Sequence, residues 1–216
     1  MIIAIDGSAA TGKSSVARAV SEKLNFIHIN TGSMYRAVTL GLIESNINIS
    51  DNSAVIDFIN KNEITFDDKN NIQLNKINVS KKVHSIQVSS LVSSVSSILL
   101  IRQWMVKLQR DVAKHRDCVL EGRDIGTIVF PNAENKFFLV ADIVTRANRR
   151  KKEMDSYGEF HSMDEITSNI LQRDELDSNR EYSPLKKAKD AFEIDTSLLK
   201  INDVVKIIID KINIKK

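Results

Sequence analysis

Gly7-Ser8-Ala9-Ala10-Thr11-Gly12-Lys13-Ser14 decides how the rest of this chain is read. It follows Ile2-Ile3-Ala4-Ile5-Asp6, a short apolar run of strand type. It precedes Ser15 to Leu24, where Val16, Ala17, Ala19, Val20 and Leu24 recur at helical spacing. Strand, G-x-x-x-x-G-K-S, then helix is the arrangement of a phosphate-binding loop. Its glycines let backbone N–H groups curl round an anion, and the helix behind it turns its positive end toward the same anion. Lys13 is expected to reach the outer phosphates and the Ser14 hydroxyl to hold Mg²⁺.

Length and composition set the bounds. A chain of 216 residues allows one domain, or one with insertions. Hydrophobic residues make up 42% and charged residues 27%, the balance of a soluble globular protein. No apolar run approaches the ~20 residues a membrane helix needs, and the first residues already read as a strand rather than a signal peptide. A net charge of +3 is too weak to point to nucleic acid, and with Ile, Asn and Lys all abundant the surface lysines carry little information. The single cysteine, Cys118, heads an apolar run and reads as a core residue, which suits a reducing cytoplasm.

Beyond the first helix, Phe26-Ile27-His28-Ile29 reads as a second buried strand and Ser33 to Ile43 as a helix. Residues 45–83 differ in character: a short helix from Ser53 to Ile59, then two alternating strands, Glu63 to Phe66 and Asn71 to Leu74, around Asp67-Asp68-Lys69-Asn70. The pattern predicts a helix and hairpin inserted into the core, with few apolar contacts to spare. Helical spacing runs from Ile86 to about Lys114, with a break expected near Ser97 in the serine cluster. Cys118-Val119-Leu120, Phe137 to Val140 and Ala191 to Ile194 read as the remaining core strands. Arginine-rich helical text at 146–152 is broken by Tyr157-Gly158, Met163 to Asp177 resumes a helix, and Ile201 to Ile212 carries the apolar stripe of a closing helix. Strands alternating with helices predict an α/β fold: a five-stranded parallel sheet with helices on both faces.

The chemistry lies in arginines at strand ends. Arg36 follows the second strand and Arg123 the third, and in open parallel sheets ligands gather outside the carboxyl ends of strands. Arg173, Asp177 and Arg180 are spaced i, i+4, i+7 and share a face if helical; taken alone that spacing also fits a solvated salt-bridged helix, a reading that Asp174 beside it would satisfy. Arg146, Arg149 and Arg150 form a further cluster, which on a mobile hairpin would close over a nucleotide and neutralise transferring charge, and which equally fits a basic solvated helix. Arginines outnumber plausible bases, Asp124 being the one candidate. A phosphate acceptor needs its charge clamped rather than a proton removed, so the pattern favours phosphoryl transfer to a phosphate.

Several stretches together resemble the bacterial cytidylate kinases, a branch of the nucleoside monophosphate kinases. They are Ile5-Asp6-Gly7 through Lys13-Ser14, Thr31-Gly32-Ser33-Met34-Tyr35-Arg36, Glu121-Gly122-Arg123-Asp124-Ile125-Gly126-Thr127 through Pro131, Arg173-Asp174-Glu175-Leu176-Asp177-Ser178-Asn179-Arg180, and Ile194-Asp195-Thr196-Ser197. The resemblance implies ATP-dependent conversion of CMP and dCMP to the diphosphates with Mg²⁺, in a cytoplasmic monomer that engages neither nucleic acid nor membrane. It implies ATP binding by Gly7, Ser8, Ala9, Ala10, Thr11, Gly12, Lys13, Ser14, Ser15 and Arg149, with Ser14 on the metal. Arg36, Arg123 and Arg180 would clamp the acceptor phosphate; Thr31, Ser93, Arg102 and Asp124 would read cytosine; Arg173 and Asp177 would face the ribose. Lys13, Arg123 and Arg180 are the catalytic set. Residues 45–83 would be the monophosphate-binding subdomain and residues 146–162 the lid of one kinase domain spanning 1–216. Asn30 stands where the family often has aspartate, His84 where arginine is common, and Thr31 where serine is.

Two other classes share part of this pattern. A small-molecule kinase of shikimate-kinase type would use the same loop and sheet with Asp124 as base toward a hydroxyl. A GTPase switch would carry Asn-Lys-x-Asp after a strand, whereas Asn75-Lys76-Ile77-Asn78 lacks the aspartate.

Overall fold

A computed structural model describes residues 1–156 and 158–212. The chain divides into two compact units, one of residues 1–29 with 115–216 and the other of residues 30–114.

The first unit is built on the parallel sheet expected. Its strands are β1 (Ile2–Gly7), β2 (Ile27–Asn30), β6 (Cys118–Gly122), β7 (Asn135–Val140) and β8 (Phe192–Asp195), in the order β2-β6-β1-β7-β8. The strand carrying the phosphate motif is therefore central. Ile5 faces Glu121 of β6 on one side and Phe137 of β7 on the other, both in parallel register. Helices α1 (Lys13–Leu24) and α8 (Ile201–Lys211) cover one face, where Val16, Ala17, Val20, Val204, Val205 and Ile208 close over Ile3, Ile5, Val119, Leu139 and Ile194. Burying such side chains stabilises by about 1.5–3 kcal/mol each, so the period-2 and period-3.6 patterns in the sequence translate directly into this layer. Cys118 lies fully in the core, where burial pushes its thiol up to about 11. Gly7 is needed at the end of β1: a Cβ there would stand 2.2 Å from the Leu139 carbonyl oxygen.

Helices α6 (Ile143–Ser156) and α7 (Met163–Asn179) pack on one another through Ala147, Ile166 and Ile170. Ser162 and Glu165 form a reciprocal capping box at the start of α7. The expected break at Tyr157-Gly158 rests in part on Tyr157, which lies outside the described residues. Gly158 adopts φ +78 and donates to Asp155, while Glu159 donates to Met154, the bond pair of a Schellman ending. Arg180 falls beyond the end of α7, in extended backbone at ψ 143, so the predicted one-face trio is two helical residues and a cap.

The second unit holds α2 (Thr31–Glu44), α3 (Asn52–Lys61), α4 (Ile86–Ser97) and α5 (Leu99–Ala113), with a 3-10 turn over Lys82–His84. The break in the long helical pattern falls at Ile98, and α4 and α5 meet at 93°. Its sheet has three strands rather than two: β3 (Ile64–Phe66), β4 (Ile72–Leu74) and the additional β5 (Ile77–Asn78). Asn75 and Lys76 join the last two at φ 51 and 65, the paired positive angles of a type I′ turn. The inserted segment also packs more tightly than expected. Phe58 of α3 and Leu74 of β4 press on α2 at Gly41, where a Cβ would meet Phe58 at 2.6 Å. Val55, Phe58, Ile64, Ile72 and Leu74 are all buried. Trp104 of α5 adds an edge-to-face ring contact to Phe58 at 6.4 Å.

Candidate active site

The loop after β1 has the geometry its sequence demands. Ala10 and Gly12 take positive φ, 58 and 90, and Gly12 stands at the N-cap of α1 with no side-chain cap on it. The first amides of α1 are thereby aimed into the loop, the arrangement that binds anions. Lys13 is buried; its ammonium donates to the Ser8 carbonyl and, at 3.2 Å, to Thr11 Oγ1. Burial pulls its pKa well below the ordinary lysine range, with nearby Arg123 pushing in the same direction. Ser14 and Ser15 are exposed at the start of the helix.

Around the loop stand groups that local spacing did not reveal. Asp6 is buried at the end of β1, and its carboxylate accepts from the amides of Ile125 at 2.9 Å and Gly126 at 2.7 Å. Those amides belong to a π-helical turn, Ile125–Val129, directly after Arg123 and Asp124, so Asp6 fixes the backbone that carries both. Burial raises its pKa from 3.8 to about 6 against those two bonds. Glu121, at the end of β6, accepts from Ser14 Oγ at 2.6 Å. The signal that could have flagged it is a carboxylate closing an apolar strand that pairs with the motif strand.

Asp174 is not the solvated helix partner that spacing suggested. It accepts from the Ala9 amide at 3.0 Å and pairs with Arg146, which is itself buried and reaches the Ala9 carbonyl at 3.4 Å. Arg149 donates to Thr11 O at 3.3 Å, Thr196 Oγ1 at 2.9 Å and Thr196 O at 2.6 Å, and Arg150 pairs with Glu153 at 2.9 Å. Each arginine of the cluster thus has an acceptor, and two of them grip the phosphate loop.

Asp177 and Arg180 belong to a network with Arg123 and Asp124 rather than to a solvated face, and Arg173 is half-buried beside it. Arg123 Nε donates to Asp177 Oδ2 at 2.8 Å; Arg180 lies 3.6 Å from Asp177 and 3.7 Å from Asp124. Asp177 is 4% exposed, and burial alone would raise its carboxyl, but Arg123, Arg173 and Arg180 outweigh that and hold it below the usual range. Arg123 and Arg173 both act on Lys13, so these cations and the loop lysine form one field.

The second unit orders its own set. Arg36 is buried and donates to Val83 O at 3.0 Å and Ser89 Oγ at 2.9 Å. Arg102 is buried, donates to Ser96 O at 3.0 Å and lies over the Tyr35 ring at 5.4 Å. Thr31 opens α2 and is buried, and Ser93 sits half-buried on α4 with its carbonyl taking the Ser96 hydroxyl at 2.9 Å. Asn30 caps α2 by accepting the Ser33 amide at 2.9 Å, a task an aspartate performs with the same oxygen. His84 is half-buried at the end of the 3-10 turn.

The donor set fits Mg²⁺ arriving with a nucleotide. Ser14 and Glu121 offer hard oxygens 2.6 Å apart, and Mg²⁺ is commonly held by one or two carboxylates together with substrate phosphates. Among the described residues there is no group of three or more histidine, cysteine or acidic ligands that would cage a metal without the nucleotide.

Comparison with known proteins bears on the whole chain. A family model described as Cytidylate kinase matches residues 3–214. The chain is 45% identical to a cytidylate kinase of Clostridioides difficile (strain 630) over 99% of both chains. It is 44% identical to one of Halalkalibacterium halodurans over 97% of this chain and 96% of the relative. An uncharacterised protein of Eubacterium ventriosum shares the fold at a TM-score of 0.53 and 14% identity, across 100% of this chain and 99% of that one.

Proposed function

The chain belongs to the cytidylate kinase family, and from that premise we propose that it transfers the terminal phosphoryl group of ATP to CMP and dCMP, giving CDP and dCDP. The observation that carries this reading is the buried network of Arg123, Asp177, Arg180 and Asp124 in the same electrostatic field as Lys13. Concentrated guanidinium groups beside a phosphate loop suit an anionic acceptor, whose charge has to be neutralised and aligned before two phosphates can approach.

In this reading Gly7 to Ser15 and Arg149 hold ATP, and Lys13 stabilises charge on the migrating group. Arg36, Arg123 and Arg180 bind the acceptor phosphate; Thr31, Ser93, Arg102 and Asp124 read cytosine; Arg173 and Asp177 take the ribose. Asp6 keeps Arg123 and Asp124 in place through the backbone behind them. Ser14 and Glu121 would hold Mg²⁺, which would supply positive charge against that of the phosphates. Residues 45–83 serve as the monophosphate-binding subdomain and residues 146–162 as the lid. The enzyme acts as a cytoplasmic monomer, where its single thiol stays reduced.

The test is ADP release measured in a coupled assay across CMP, dCMP, UMP, AMP and GMP. Turnover with CMP and dCMP far above the others is expected. Release of ADP with a sugar or polyol and none with nucleotides would instead favour a hydroxyl acceptor with Asp124 as base.

A further inference from the structure

We propose that His28 is a positioning residue for the divalent cation of the phosphate loop, acting through Glu121. This rests on the reading above that Ser14 and Glu121 take that cation. His28 lies in β2, the neighbour of β6, with its side chain 7% exposed; its Nε2 stands 3.1 Å from Glu121 Oε1. The other oxygen of the same carboxylate, Oε2, accepts from Ser14 Oγ at 2.6 Å. Glu121 is thus held at both oxygens, by an imidazole N–H on one side and the metal-binding hydroxyl on the other.

A glutamate side chain has three rotatable bonds, and each bond to its carboxylate narrows the orientations the carboxylate plane can take. The bond from the buried His28 ring on the neighbouring strand restrains that plane from the Oε1 side. A polar ring is costly at a buried position unless its N–H finds an acceptor. Glu121, the carboxylate that this ring meets, also touches Ser14. Hydrogen bonds that orient metal-ligating groups are worth about ten- to a hundredfold in metal affinity.

The experiment compares full-length wild type with His28→Leu, His28→Gln and Glu121→Gln. Three quantities are read: the Mg²⁺ concentration for half-maximal turnover at saturating ATP and CMP, ADP affinity by calorimetry in Mg²⁺ and in EDTA, and melting temperature. His28→Leu is expected to raise the Mg²⁺ requirement by about tenfold or more. It should weaken ADP binding in Mg²⁺ and leave ADP binding in EDTA unchanged. His28→Gln, whose amide N–H reaches for the same oxygen, should restore most of the loss. Should His28→Leu be recovered unfolded, His28→Asn takes its place, its shorter amide falling short of Glu121, with the same rise expected. The proposal is overturned if the variant that folds keeps the wild-type Mg²⁺ requirement, or loses ADP affinity equally with and without metal, as a purely structural role would dictate. If Glu121→Gln also leaves the Mg²⁺ requirement unchanged, the metal reading of Ser14 and Glu121 fails. If Glu121→Gln shifts it and the His28 variants do not, only the role of His28 is lost.

Discussion

Asp174 accepts a hydrogen bond from the Ala9 amide at 3.0 Å, across 165 positions of sequence, and pairs the same carboxylate with Arg146. One side chain of α7 therefore ties the crest of the phosphate loop to α6. Removing it leaves Arg146 with a buried guanidinium and one long contact to Ala9 O. Asp174→Ala should cost about 1.5–3 kcal/mol, the worth of a charge-assisted bond. Denaturant unfolding of Asp174→Ala, Arg146→Ala and the double variant gives the pair's coupling. Additive losses in that cycle would show that the two side chains do not act together.

Lys13→Met should leave the fold intact and abolish transfer. Its ammonium is already desolvated and under pressure from Arg123, so a bound phosphate would relieve both. Circular dichroism checks the fold, and single-turnover kinetics the chemistry. Turnover near that of wild type would remove Lys13 from the mechanism.

Arg123→Met and Arg180→Met should each lower kcat/KM for CMP more than about tenfold, from 1.5–3 kcal/mol per charged bond to phosphate. Both also neutralise Asp177, whose carboxyl is held low by these cations. A depressed acid contributes stability above its unfolded pKa of 3.8 that is lost as pH falls through the lower folded value. In either variant that acid limb should move up toward pH 3.8, read by urea titration between pH 2 and 5.

Arg102→Met tests how the base is read. Cytosine presents an amino donor and a ring acceptor, and uracil reverses both, so an arginine facing the ring acceptor suits only cytosine. A CMP preference over UMP of at least about a hundredfold is expected in wild type, since buried polar groups left unpaired reject the wrong partner strongly. The variant should lose CMP activity far more than UMP activity. Equal losses would make Arg102 structural, the stacked support of Tyr35 and Ser96.

Asp6 gives the opposite sign of pH dependence from Asp177. Its folded pKa of about 6 lies above the unfolded 3.8, so its contribution is fully present below pH 3.8 and lost as pH rises through about 6. Between pH 5 and 7.5 that loss is about 1.4 kcal/mol, one pK unit. The stability difference between wild type and Asp6→Asn should shift by this amount over the interval, in favour of the variant at higher pH. A difference that stays flat with pH would mean that Asp6 titrates normally.

The order of strands and helices was legible because each element keeps its own hydrophobic period: Ile3 and Ile5 alternate, while Val204, Val205 and Ile208 follow a helix. The third strand of the small sheet escaped. It is two residues long, and its turn places Lys76 at positive φ where the usual signal is glycine. At the site, the motif residues and arginines were readable from types and spacing, but their supports were not. Ser14 meets Glu121 across 107 positions and Asp6 meets Ile125 across 119. A carboxylate whose partner is that remote looks like any surface acid until the sheet brings the two together. The shared helical face did not extend to Arg180 for a local reason: i+7 spacing says nothing about where a helix stops, and α7 stops one residue before it.

The split of the sheet across the sequence governs the order in which the molecule can assemble during synthesis. β1 leaves the ribosome well before its neighbours β6 and β7, which begin at Cys118 and Asn135, after every residue of the 30–114 unit has emerged. Pairing so distant in sequence is slow to close, and a nascent β1 carries an unpaired apolar edge of the kind that invites misassociation. Residues 30–114 form a compact unit of their own, complete in the nascent chain before β6 and β7 are made. The phosphate loop completes its surroundings late: the Thr196 hydroxyl that holds Thr11 O at 3.0 Å arrives 185 residues after it. Truncated chains that stop short of β8 would therefore carry the whole motif without a finished site.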